Sequence, residues 1–96
     1  MEVKRVKSDL GFTKYEVVGC DHVRITPPSR TSSWTIRIPD LRHQYYDGGY
    51  DKVTIYRGRN FREIKEVLSK FSTKEELFGF YYVSRLENKP FMGGNV

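Results

Sequence analysis

Residues 34–71 read WTIRIPDLRHQYYDGGYDKVTIYRGRNFREIKEVLSKF, and two hydrophobic periods meet in them. Over residues 33–39 apolar and polar positions alternate, with Trp34, Ile36 and Ile38 on one side and Thr35 and Arg37 on the other. That is the period of a half-buried strand, and Pro39 closes it. Residues 40–51 are polar and hold an Asp-Gly-Gly turn signal, so a loop is expected there. Alternation resumes over 52–58, with Val53 and Ile55 inward and Lys52, Thr54 and Tyr56 outward. From Asn60 the period changes. Phe61, Ile64, Val67, Leu68 and Phe71 form one apolar stripe at helical spacing. Asn60 with Glu63 makes a capping-box pattern at the start of that helix.

The same reading extends both ways. FTKYEVVG (12–19) is short and rich in β-formers, and Gly19 ends it. CDHVRIT (20–26) alternates, with Val23 and Ile25 opposite His22, Arg24 and Thr26, until Pro27 and Pro28 stop it. Beyond the first helix, Thr73 and Glu76 repeat the capping pattern, so a second helix starts there. Its second half, 79–86, follows Gly79 and fits a helix or a strand; a helix is taken here. The expectation is one α+β domain over residues 1–96. It has a four-stranded, mainly antiparallel sheet with two C-terminal helices on one face. Residues 1–10 and 88–96 read as flexible ends.

At 96 residues the chain supports one core. No apolar run approaches the roughly 20 residues of a membrane span. MEVKRVKSDL is too charged for a secretory signal. A single cysteine, Cys20, excludes an internal disulfide and a cysteine-based zinc cluster, and it reads as a buried, inert thiol. A reducing, cytoplasmic location is expected.

Charge is the most informative bulk property. The net charge is +5, and residues 22–65 account for it, with nine Lys/Arg against four Asp/Glu. Seven of those nine are arginine, whose planar fork suits phosphate and stacks on flat rings. The outward residues of the expected sheet are Lys14, Glu16, His22, Arg24, Thr35, Arg37, Lys52, Thr54 and Tyr56. They offer a phosphate backbone positive charge and neutral donors. The loop beside that face carries Arg42, His43, Tyr45, Tyr46 and Tyr50, and tyrosines there can stack on unpaired bases. YRGRN (56–60) lacks the spacing of a phosphate loop. It still places Arg57 and Arg59 ahead of a helix N-terminus, where backbone N–H groups favour anions.

These residues favour a non-catalytic nucleic-acid-binding protein, DNA or RNA, with single strands preferred. A small ribonuclease using His43 as base and Arg37 or Arg42 for transition-state charge is a third reading. Cys20 and His22 share a strand face while Asp21 points away, so no nucleophile–base pair follows from their adjacency. His22, His43, Asp47 and Asp51 lack metal-ligand spacing. No catalytic residue, metal or cofactor is expected.

The outline of residues 34–71 resembles small proteins carried by phages and mobile elements, including some inhibitors of CRISPR–Cas nucleases. The shared features are the Ile-Arg-Ile strand, the His/Tyr/Asp loop, a second strand and an amphipathic helix. This resemblance implies the second reading, an anti-defence inhibitor or adaptor that binds and blocks a nucleic-acid-processing protein in the host cytoplasm. The order of four antiparallel strands and then a helix also resembles single-strand-binding coactivator-type domains, which dimerise through that helix. That likeness implies a homodimer.

Overall fold

The computed structural model describes residues 1–88. The elements in chain order are β1 (Val3–Lys7), β2 (Thr13–Val17), β3 (Cys20–Thr26), β4 (Trp34–Gln44), β5 (Tyr50–Gly58), α1 (Phe61–Ser69) and α2 (Lys74–Leu86). The strands form one antiparallel sheet in the order β1-β2-β3-β4-β5. Each strand lies beside its sequence neighbour, which suits the short turns between them. The fold is therefore α+β, with five strands where four were expected. No described helix is long and apolar enough to cross a membrane.

The extra strand lies in the segment expected to be a loose end. VKRVK lacks strict alternation, but an edge strand needs only one anchored side. Val3 is buried opposite Val17, while Lys4, Arg5 and Lys7 stay exposed. Lysines on an edge discourage pairing with foreign strands. The Met1 amino group adds a second anchor by donating to the carbonyls of Leu68 (2.8 Å) and Phe71 at the end of α1. Positive charge is favoured at a helix C-terminus. The tail expected at 88–96 lies outside the described residues from 89 onward.

The core lies between the sheet and the helices. Ile36, Ile38, Ile55, Ile64, Leu68 and Leu77 are fully buried in it. Each contributes roughly 1.5–3 kcal/mol by burial. α1 packs on β4 and β5, and α2 packs on β3. Tyr15, Trp34 and Phe61 close one end of the core, with ring centroids 4.9–5.3 Å apart. Cys20 is only half-buried, packed against the core edge.

Both N-caps form as expected, while each glutamate takes its reciprocal bond from the amide one residue before the cap. The Glu63 amide donates to Asn60 Oδ1 at 2.9 Å, and the Arg59 amide donates to Glu63 Oε2 at 2.6 Å. The Glu76 amide donates to Thr73 Oγ1 at 3.2 Å, and the Ser72 amide donates to Glu76 Oε2 at 2.8 Å. Residues 79–86 are helical. Leu77, Tyr81 and Ser84 supply a buried helical stripe, and Gly79 sits on the exposed side.

The expected loop 40–51 is mostly strand. β4 continues to Gln44, which pairs with Tyr50, and only residues 45–49 turn. The Tyr45 amide donates to Gly49 O at 2.6 Å, and the Gly48 amide donates to Tyr45 O at 3.0 Å. Gly48 takes φ +92°, a left-handed conformation that favours glycine. The Asp-Gly-Gly signal was real, but it marks a tight hairpin tip.

Candidate nucleic-acid interface

Both helices contact the sheet, and the strand residues that alternate away from the buried core form its open side. Strand pairing assigns its residues. Arg24 stands opposite Arg37, and Arg37 opposite Thr54. One row over, Thr26 stands opposite Thr35, and Thr35 opposite Arg57. Glu16 faces Arg24 from β2, and Lys4 faces Glu16 from β1. Lys14 and Lys52 complete the set by strand alternation. The face thus carries Lys4, Lys14, Arg24, Arg37, Lys52 and Arg57 against one carboxylate, Glu16. All six cations are exposed, and none takes part in the three ion pairs among the described residues. A shallow groove of about 630 Å³ lies along β2 and β3, with Lys4, Lys14 and Arg24 and the carboxylates of Glu16 and Asp21 in its lining.

The Arg24–Arg37 pairing is the strongest electrostatic feature. Directly opposed residues on one face have Cβ atoms about 4.5–5.5 Å apart, and like charges there are destabilising. Glu16 stands opposite Arg24 on the β2 side, but neither arginine forms an ion pair and no carboxylate is paired with Arg37 to offset the repulsion there. An anion placed between them would offset it.

Other expected site residues fall elsewhere. Tyr56 is not on the open face. Ile36 pairs with Tyr56 and Arg37 with Thr54, so Ile55 is an extra residue on β5. This bulge breaks the alternation and turns Tyr56 toward α1, where it is half-buried against the core. Burial first, and Glu63 second, push its phenol pKa up. The same bulge brings Arg57 onto the open face, opposite Thr35.

Arg42 is already engaged. Its Nε and Nη2 donate to the two Asp40 oxygens at 2.9 and 3.0 Å, and its amide donates to Oδ1 at 3.1 Å. The Arg42 side-chain hydrogen bonds hold the Asp40 carboxyl at about 2, below its ordinary value. Arg59 lies 3.5 Å from Glu63 and is exposed. The helix N-terminus behind it is filled by the Glu63 carboxylate, so no separate anion site forms there.

The three loop tyrosines differ from one another. The Tyr45 hydroxyl donates to Asp51, and that bond raises its pKa. Tyr50 is partly covered in the Gln44–Tyr50 pair, whereas Tyr46 is fully exposed at the tip. His43 is exposed on β4 and makes no hydrogen bond among the described residues. His22 is exposed on β3. The described residues contain no group of three His, Cys, Asp or Glu side chains able to hold a metal ion.

Lys4 is the member that sequence reading did not bring to the site. Lys4 belongs to the unrecognised strand. Thr26 and Thr35 are outward by alternation, but the pairing of Thr35 with both Thr26 and Arg57 comes from register, which alternation within one strand cannot supply. No protein-family model, curated protein or solved structure matches the chain.

Proposed function

We propose that the protein binds nucleic acid, preferably single-stranded, on the open face of its sheet, without catalysis. The observation that carries this reading is the Arg24–Arg37 pair, opposed across β3 and β4 and in no ion pair, on a face with six exposed cations. Such a face attracts a polyanion of any sequence, because phosphates position a ligand and bases specify it. Tyr46, exposed on a hydrogen-bonded hairpin tip, supplies a ring for a base exposed in a single strand. Arg42 and Tyr56 have structural roles and leave the list of contacts.

The test is binding of labelled oligonucleotides to the wild type and to Arg24→Ala combined with Arg37→Ala. The reading expects micromolar or tighter binding by the wild type and at least a tenfold loss in the double variant. Equal binding by both proteins contradicts it. The alternative reading, a blocker of a nucleic-acid enzyme, expects negligible affinity for bare nucleic acid and tight capture of a protein.

A further inference from the structure

β3, β4 and β5 set six open-face residues in two cross-strand rows, Thr26–Thr35–Arg57 and Arg24–Arg37–Thr54. Each row mixes hydroxyl with guanidinium. Thr35 lies on the middle strand, between Thr26 and Arg57 and two residues from Arg37. Its side chain is 1% exposed, and Oγ1 has no hydrogen-bond partner. Leaving a buried hydroxyl unmet is costly, and a valine of the same shape would avoid that cost. The three arginines around it form no ion pairs among the described residues. One location therefore leaves unused both an O–H donor and three guanidinium forks. These are the donors that the oxygens of a phosphate group accept.

We infer that the Thr35 hydroxyl and the guanidinium groups of Arg24, Arg37 and Arg57 form a discrete phosphate-binding subsite. This rests on the nucleic-acid reading and identifies the contact within it that is shaped rather than diffuse. The occupant is a phosphate group, a backbone diester when nucleic acid is bound.

The experiment follows backbone amide resonances while sodium phosphate, or sodium chloride at matched ionic strength, is added. It is run on the wild type, Thr35→Val and Thr35→Ser, with affinity for a short single-stranded oligonucleotide measured alongside. The expected result is saturable, phosphate-specific shifts confined to β3–β5 and reversed by the oligonucleotide. Thr35→Val weakens phosphate binding about tenfold while its melting temperature equals or exceeds that of the wild type. Thr35→Ser, which keeps the hydroxyl, stays close to the wild type. Shifts identical with chloride, or unchanged affinity in Thr35→Val, overturn the subsite. If oligonucleotide binding then still depends on Arg24 and Arg37, the broader function survives. Saturable phosphate binding without oligonucleotide binding supports the subsite, assigns it to a free phosphate compound and sinks the nucleic-acid reading.

Discussion

Arg24 and Arg37 oppose each other, and Arg37 has only Thr54 on its other side, so Arg37 should lower stability and raise affinity. Replacing Arg37 with alanine should stabilise the fold by a few tenths of a kcal/mol, within the range for cross-strand charge pairs. It should also weaken oligonucleotide binding. Thermal melting and binding on the same variant check both signs; a destabilised variant argues that the pair serves the fold. Asp40 gives a pH prediction. Its folded-state pKa is about 2, below the ordinary 3.8, because Arg42 donates to its carboxylate. A depressed carboxyl contributes stability above its unfolded value and loses it as pH falls through the folded value. The wild type should therefore lose stability between about pH 4 and 2 relative to Asp40→Asn, read by denaturant unfolding across that window. At this scale, alternation was enough to place Arg24, Arg37, Thr35, Thr54 and Lys52 on the open face. It misplaced Tyr56 because one bulge residue, Ile55, inverts everything after it, and nothing in KVTIYRG announces a bulge.

The β4–β5 hairpin depends on a contact from α2. The Leu41 amide donates to the Tyr82 hydroxyl at 2.9 Å, and that hydroxyl donates to Pro39 O at 3.1 Å. It bridges the stretch of β4 that β5 leaves unpaired between Pro39 and Gln44. Tyr82→Phe should cost about 1 kcal/mol, the usual net worth of such a bond. It should also speed exchange of the Leu41 amide, with the β3 amides unchanged. Uniform acceleration across the sheet would contradict a local latch. At the tip, Tyr46→Ala should weaken single-strand binding by about 1–3 kcal/mol and leave duplex binding unchanged. Tyr45→Phe, which loses only the bond to Asp51, should change binding little. Both helices were legible because their capping boxes and apolar stripes are local. β1 was not, because one buried valine in a run of cations is a weak periodic signal. Its strand character comes from pairing with β2. Likewise the extension of β4 to Gln44 depends on Tyr50 and Tyr82, neither of which a local window contains.

As a whole, the molecule buries apolar surface between its sheet and two helices, and sets six cations that form no ion pair among the described residues on the sheet's open face. The net +5 was readable from composition, and so was its concentration in the middle of the chain. The division into engaged and unengaged cations was not, because it depends on which arginine finds a carboxylate. Arg42 finds Asp40, and Arg59 and Arg62 find Glu63 and Glu66. Arg24, Arg37 and Arg57 form no ion pair among the described residues, Glu16 opposite Arg24 included. The most direct test of the central claim is the affinity of the wild-type protein for labelled single-stranded DNA, single-stranded RNA and duplex DNA, measured between about 50 and 200 mM salt. A single strand contacting about five of the six cations gives a log–log salt slope of about −3 to −4. The account predicts that slope, with micromolar or tighter single-strand binding and a shallower slope in Arg24→Ala with Arg37→Ala. Weak binding, equal for all three ligands and gone at the higher salt, would contradict it.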